Sequence, residues 1–377
     1  MVAVEKDVRT DELVINMGPQ HPSTHGVLRV VLKTDGEMCL DAQPDIGYLH
    51  RCAEKIAENL PYGQFVPYTD RMDYVSGMGC NMGYCMAVEQ VAGIQVPERG
   101  EWLRVIVTEL NRIASHLLAF GTYGLDTGAI TPFLYGFRER ELVLDLLEML
   151  CGARLTYSYI RIGGVDGDVP PEFMDKLKEF LDIFPKKIRE YNKLLTYNHI
   201  FMKRTVGVGV LPADVAIAYG VTGPCLRGSG VRQDVRRDEP YSVYPKLEFD
   251  VPVGTDEHGP IGDAWNRYYI RIRELEESAK ILRQCVKMIS PGPVLAEKVG
   301  RVKPPAGAEA YTRSENARGE LGFYIVSDGT MTPARVKVRA PSFSNISVLP
   351  AIVRGQMLAD VVAIIGSLDI VLGEIDR

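Results

Sequence analysis

No two of the seven cysteines in this 377-residue sequence are spaced as a CxxC pair. That spacing supplies the thiolates of most zinc and iron–sulfur sites, so no such site is expected within this chain. The nearest two, Cys80 and Cys85, stand in Met78-Gly79-Cys80-Asn81-Met82-Gly83-Tyr84-Cys85, which reads as a buried helix with the thiols as small core groups. An odd cysteine count without an export signal points to reduced thiols rather than a disulfide framework. The start, Met1 to Asp11, is charged and has no apolar segment of the signal-peptide kind. A bilayer-spanning helix needs about 20 apolar residues. The nearest approach, Met357 to Gly373, is interrupted by Asp360 and Asp369, so any membrane link is expected to run through partner proteins. A basic excess is missing too: 43 Lys and Arg face 49 Asp and Glu, for a net charge of -6. That excludes a global nucleic-acid binder, and the local cluster Arg232 to Arg237 reads as a solvated loop or a partner surface. There is no GxGxxG fingerprint, no P-loop and no GxSxG elbow, which argues against a free-standing soluble enzyme of those kinds. Internal repeats and low-complexity tracts are also lacking.

What is present is an ordinary globular composition, 46% hydrophobic and 24% charged. Glu12 to Met17 is a short apolar run, and Gly26 to Lys33 alternates and is rich in β-branched residues. Asp35-Gly36 supplies a hairpin turn, with Met38 to Ala42 as the return strand. The middle of the chain reads as helices. Trp102 to Phe120 and Phe137 to Leu150 carry apolar stripes at helical spacing. Pro171 to Leu195 follows, with a kink or break expected at Pro185, and Ala264 to Met288 carries Arg and Glu on a polar face. After the linker Lys303-Pro304-Pro305-Ala306-Gly307, a second hairpin is expected from Leu321 to Ser327 and Ala334 to Arg339, joined by Asp328-Gly329. A last helix covers about Gly355 to Ser367. The class is α+β: a mainly helical core with small peripheral antiparallel sheets. Three regions are expected: 1–45, a sheet with a polar loop; 46–290, the helical core; and 291–377, a hairpin and helix packed on that core.

Four stretches could carry chemistry. Gly18 to Gly26 places His21 and His25 on a Pro/Gly-rich loop. HxxxH binds zinc when a helix puts both rings on one face, and Pro22 spoils that. Tyr68-Thr69-Asp70-Arg71-Met72-Asp73-Tyr74 is a charged, aromatic turn. Asp126 stands in a glycine-flanked break between two apolar helices, where it could instead cap the next helix. His50-Arg51-Cys52-Ala53-Glu54-Lys55 reads as a solvated helix start. Taken singly, none identifies a function.

Taken in order, with further motifs, they do. The chain resembles the quinone-site subunit of respiratory complex I, the subunit of the 49-kDa type. The resemblance covers nearly the whole length: Gly18-Pro19-Gln20-His21-Pro22-Ser23-Thr24-His25-Gly26, Gly47-Tyr48-Leu49-His50-Arg51, Arg71-Met72-Asp73-Tyr74, Thr131-Pro132-Phe133 with Phe137-Arg138-Glu139-Arg140-Glu141, Arg161-Ile162-Gly163-Gly164-Val165, Leu226-Arg227-Gly228-Ser229-Gly230, Gly319-Glu320-Leu321-Gly322, Lys337-Val338-Arg339-Ala340-Pro341-Ser342-Phe343 and Gly373-Glu374-Ile375-Asp376-Arg377. The family is related in turn to the large subunit of nickel–iron hydrogenases, which hold their metal with two CxxC pairs. Here Asp73 and Ser76 stand where the first pair would be, and no terminal pair is present. The resemblance therefore implies the hydrogenase-like fold without the hydrogenase metal or reaction.

The resemblance implies a subunit of a proton-translocating NADH:quinone oxidoreductase that binds quinone as substrate. Its electrons would come from a terminal 4Fe–4S cluster held by a neighbouring iron–sulfur small subunit. His25 and Tyr74 would contact the quinone headgroup, Asp126 would partner His25, and Arg51 would lie near the cluster. A phenol (pKa about 10) and an imidazolium (about 6.5) can both donate to a quinone oxygen and then lose the proton. His116, on the apolar Trp102 to Phe120 helix, reads as a satisfied core histidine, and the resemblance keeps it as a second candidate near the cluster. The partners implied are the other peripheral-arm subunits and a membrane-arm subunit at the mouth of the quinone channel, on the cytoplasmic side of the membrane. Electron donor (NADH, reduced ferredoxin or a reduced deazaflavin) and quinone type stay open. Two features depart from the family: a short, Pro-rich connection between Pro291 and Gly319, and Cys52 where relatives often have Gly. A membrane-bound hydrogenase subunit and a non-catalytic scaffold remain as alternatives.

Overall fold

The computed structural model describes residues 12–297 and 299–377; the charged start, Met1 to Asp11, lies outside them. Strands β1 (Glu12–Met17), β2 (Arg29–Asp35) and β3 (Met38–Asp45) form an antiparallel meander in the order β1-β2-β3. Asp35 pairs with Met38, so the β2–β3 turn is Gly36 and Glu37, with Gly36 at φ 57°, a conformation glycine adopts without strain. Leu28, Val30, Leu32, Cys39 and Ala42 turn to one side of this sheet and are buried.

Short helices α1 (Ala53–Ala57) and α2 (Tyr62–Thr69) lead to α3 (Gly77–Ala92), α4 (Glu98–Asp126) and α5 (Ile130–Cys151). As expected, Cys80 and Cys85 lie on a buried helix, α3, and burial pushes both thiols well above their ordinary pKa. Helix α4 runs beyond the expected Trp102 to Phe120 at both ends. It starts after Pro97, with Glu98 and Glu101 in the first turn, where carboxylates favour the helix dipole. It continues through Gly121 and Gly124, where the glycines suggest a break. A Cβ on Gly121 would lie 3.0 Å from the Phe133 backbone, and one on Gly124 would lie 3.1 Å from the Ala129 carbonyl. These glycines permit close approach of α5, and Asp126 sits in the last turn of α4. The N-cap of α5 is Ala129, so Asp126 does not cap it.

A two-stranded ribbon, β4 (Ile160–Arg161) and β5 (Gly164–Val165), precedes α6 (Phe173–Tyr191). Helix α6 passes through Pro185 unbroken; the irregularity comes later, as a π-helical turn over Asn192–Thr196. Short helices α7 (His199–Thr205), α8 (Ala213–Ala218), α9 (Gly223–Gly228) and α10 (Val235–Asp238) lead to α11 (Ala264–Met288), which has the bounds expected. Its charges are not all on a solvent face: Arg267, Arg271, Glu274 and Glu277 are buried.

The second sheet, β6 (Glu309–Asn316), β7 (Gly319–Ser327) and β8 (Pro333–Arg339), corrects the expectation of a peripheral hairpin. It has three strands, the β7–β8 loop spans residues 328–332, and Leu321, Phe323 and Ile325 of β7 are fully buried against α3. The chain closes with α12 (Pro341–Ile346), α13 (Leu349–Val353), α14 (Leu358–Leu368) and α15 (Leu372–Asp376). The terminal motif Gly373-Glu374-Ile375-Asp376 is thus part of a helical turn.

Two apolar clusters result. One gathers α2 to α6, α11 and β6 to β8. The other joins the two ends of the chain: Val30, Leu32 and Cys39 of the first sheet pack with Val348 and Leu349 and with Ile364 and Leu368 of α14. No helix among the described residues is long and apolar enough to cross a membrane. A Cβ on Gly79 of α3 would sit 2.2 Å from Asn316 Oδ1, whereas one on Gly63 of α2 meets nothing within 4 Å. Gly79→Ala should therefore cost about 1–3 kcal/mol by overpacking, and Gly63→Ala should be neutral or stabilising by about 0.5–1 kcal/mol. Urea denaturation midpoints read the difference.

Candidate functional site

The polar loop between β1 and β2 is held by its own short-range bonds. Pro22–Thr24 form one 3-10 turn, Thr24 Oγ1 donates to the His21 carbonyl at 2.7 Å, and Ser23 N donates to His21 Nδ1 at 3.2 Å. His25 follows in the left-handed region, at φ 54°. Its Nε2 lies 2.6 Å from Asp126 Oδ2, at the end of α4. Space for that carboxylate comes from α14, where a Cβ on Gly366 would lie 2.7 Å from Asp126 Oδ2.

Tyr74 stands in the turn before α3, and the backbone there is shaped by Asp73. The Asp73 carboxylate accepts from the Val75 and Ser76 amides, each at 3.2 Å, and from Arg318 at 2.9 Å. Arg318, fully buried in the β6–β7 turn, also donates to Ser115 Oγ at 3.1 Å and lies 3.5 Å from Asp369. Asp369 in turn takes Arg271 at 3.2 Å. On the other side of Tyr74, α15 packs so closely that a Cβ on Gly373 would be 3.0 Å from the Tyr74 ring.

These elements enclose a cavity of about 280 Å³. His25, Tyr74, Asp126, Arg318 and Asp369 supply its polar wall, and Leu118, Leu125 and Val371 are among its apolar residues. Such a mix suits a flat, largely apolar ligand with a few polar atoms. Burial raises the Tyr74 pKa, which keeps the phenol protonated, while Arg318 acts in the opposite sense. For His25, burial works against the charged ring, but the hydrogen bond and charge of Asp126, with help from Asp369, outweigh it and lift its pKa above the ordinary value. The shifts favour the protonated form of both groups, and both face one space.

Arg51 does not line this cavity. It borders a separate groove of about 460 Å³ with Pro67, Tyr68, Arg71 and Met72. Its guanidinium donates to the Arg71 carbonyl at 2.8 Å and the Gly373 carbonyl at 2.7 Å, so it braces the backbone on both sides of Tyr74. His116 is apart from both. It is wholly buried, with Nε2 2.8 Å from Glu274, whose carboxylate also takes Arg227 at 2.7 Å. His50 is not merely solvated: Nδ1 lies 2.6 Å from the Asp376 carbonyl, and Cys52 Sγ is 3.7 Å from Nε2. His21 turns back on its own loop. Sequence reasoning misses Arg318 and Asp369 as site residues. Asp369 leaves a signal, as a lone carboxylate inside an apolar run, but read locally it does no more than interrupt a membrane span. Among the described residues no group of three or more His, Cys, Asp and Glu side chains is arranged to hold a metal.

The His25–Asp126 contact has a pH signature. The His25 pKa in the fold lies above the 6.5 of a free histidine, so the pair contributes stability fully below about 6.5, and that contribution is lost as pH rises through the raised value. Asp126→Asn removes the charge but leaves the burial, so the His25 pKa should fall below 6.5. A histidine-resolved NMR titration of both proteins checks it.

A family model described as respiratory-chain NADH dehydrogenase, 49 Kd subunit, matches residues 126–307 and 299–377. The D-type subunit of NADH-quinone oxidoreductase from Chlorobium luteolum is 54% identical over 381 residues, covering 100% of this chain and 96% of the relative. The same subunits of Chlorobaculum tepidum and Chlorobium phaeovibrioides are each 53% identical, covering 100% of this chain and 95% of theirs. With full-length identity above half, the chain belongs to the 49-kDa subunit family of NADH:quinone oxidoreductase, and its partners are other subunits of that complex.

Proposed function

We propose that the cavity between His25 and Tyr74 is where quinone is reduced. One observation carries this reading: two half-buried proton donors, the Asp126-paired imidazole of His25 and the phenol of Tyr74, face the same partly apolar space. Quinone reduction consumes two electrons and two protons, and each donor serves one carbonyl oxygen of the headgroup. The electrons come from a terminal 4Fe–4S cluster held by a neighbouring iron–sulfur small subunit. The groove bordered by Arg51 and Arg71 fits the side from which they arrive, since a guanidinium there stabilises added negative charge. His116 we assign to the buried charge network of α4 and α11 rather than to the cluster, because its Nε2 is already engaged by Glu274.

A hydrogenase-like metal centre does not fit this chain. Asp73 occupies the first thiolate position, and its carboxylate is taken up by Arg318 and two backbone amides. The nickel–iron hydrogenase fold is retained for a different task. The chain is held at the cytoplasmic face of the membrane by partner subunits, with a membrane-arm subunit at the mouth of the quinone channel. Coupling to proton translocation begins at His25: once it gives up its proton, Asp126 loses its counter-charge beside a Gly/Pro-rich loop, and that imbalance drives the loop to rearrange.

The test is Tyr74→Phe, assayed for quinone reduction and, in parallel, for transfer from the same donor to an artificial acceptor that bypasses the quinone. Loss of a general acid should slow quinone reduction by ~10²–10⁴-fold, with the bypass reaction and assembly intact. If both activities persist, the headgroup binds elsewhere and the chain is a scaffold.

A further inference from the structure

Behind Tyr74 lies a carboxyl group that the reaction above does not use. Glu374, on α15 next to the glycine that packs against the Tyr74 ring, is fully buried. Its Oε2 accepts the Ser342 amide of α12 at 3.0 Å, and its Oε1 has no hydrogen-bond partner. No ion pair to it is found among the described residues. The charged and titratable groups that face it are Asp73 and Arg318, with the Cys80 thiol of α3 beyond. The Arg51 guanidinium reaches only the neighbouring Gly373 carbonyl.

Counting charges decides its state. Arg318 and Arg271 are the two ion-paired cations here, taken up by Asp73 and Asp369 at 2.9 and 3.2 Å, while Arg51 is spent on two backbone carbonyls. His25 and Asp126 form a separate balanced pair. An ionised Glu374 would be a surplus buried anion beside Asp73, with one oxygen left bare. Burying an unpaired carboxylate is costly enough that the group keeps its proton instead. In agreement, burial and the nearby Asp73 push the Glu374 pKa up to about 7.

Resting on the quinone-site reading, we propose that Glu374 is a positioning residue of that site, neutral at rest, whose neutrality leaves the Arg318 charge available to the Tyr74 oxygen. When quinone takes its electrons from the partner's cluster, the Tyr74 O–H bond breaks, the proton joins the quinone oxygen, and the electron pair stays on the phenolate. Arg318 stabilises that phenolate. No bond to Glu374 changes. An ionised Glu374 would compete for Arg318 and weaken Tyr74 as an acid.

Two measurements on the assembled complex test this. Infrared spectra with ¹³C-labelled glutamate should show a protonated carboxyl band that titrates near pH 7 and is missing in Glu374→Gln. Quinone reduction, normalised to the bypass reaction, should fall as pH rises through about 7 in the parent, and that alkaline limb should become shallower in Glu374→Gln, which is neutral at every pH, keeping only the part that His25 carries as it deprotonates. The limb should persist in Glu374→Asp, which also removes the labelled band if the glutamine variant does not assemble. An unchanged alkaline limb in Glu374→Gln, or a labelled band that survives in either variant, overturns the proposal. Failure here with Tyr74→Phe still crippling would sink Glu374 alone, whereas a harmless Tyr74→Phe would sink the quinone site whatever the infrared band does.

Discussion

Arg318 is the group on which the rest of the site depends. Its guanidinium is buried in a strand turn, and it reaches Asp73 beside Tyr74, Ser115 on α4 and Asp369 after α14. Three segments distant in sequence are thereby fixed around one charge. Burying two opposite charges is no gain in itself, because desolvation consumes most of the attraction; removing one partner, however, strands the other and costs about 3–5 kcal/mol. The ion pair thus specifies more than it stabilises. It holds the Asp73 carboxylate where it can accept the Val75 and Ser76 amides, and those bonds set the turn that presents Tyr74.

Helix α4 is the second constraint. It carries Asp126 at its end and, two turns and more earlier, the buried Ser115 and His116. Glycines 121 and 124 let α5 press against it, and Gly366 lets α14 do the same over Asp126. Small residues at these crossings bring three helices close enough to bury a carboxylate that a looser packing would leave in water. The histidine loop then needs only to dock. Its backbone is locked by Thr24 and by the left-handed turn at His25, so little freedom is left to lose when the imidazole meets Asp126.

Much of this was legible in the sequence, and most of the failures share a cause. The α+β class, the first hairpin and α11 followed from local periodicity. His25, Tyr74 and Asp126 stood out through ordered motifs, not through any local signal, and the structure brings all three to one cavity. Strand β6 was missed because Glu309-Ala310-Tyr311-Thr312-Arg313-Ser314-Glu315-Asn316 looks solvated; Glu315 and Asn316 are in fact buried, satisfied by Arg227 and Ser76 far along the chain. Arg318 escaped for the same reason. Glycines near Asp126 read as a helix break because local propensity counts their entropy and cannot count the neighbour they admit. These misses concern residues whose partners lie across the fold; the break expected at Pro185 is the exception.

The molecule buries a second charge network, and comparing the two shows what separates structure from chemistry. Between α4, α10 and α11, burial alone would raise Glu109, yet Arg112 and Arg236 hold it down at about 2. Glu274 is held down likewise by Arg227, against the same burial. Carboxylates so placed stay ionised across the physiological range and can exchange no proton there. Around Tyr74 the cations are engaged elsewhere: Arg318 and Arg271 sit on Asp73 and Asp369, and Arg51 on two backbone carbonyls. None forms an ion pair with Glu374, which burial and Asp73 push up to about 7, and the contact with Asp126 lifts His25 above the ordinary histidine value. A cavity adjoins this second set. Glu109 and Glu274, each touched by a guanidinium, are thus held ionised, while Glu374, touched by none, is shifted toward neutral pH. What separates Glu374 from Glu109 and Glu274 is contact with a guanidinium and not depth of burial, since all three are buried alike.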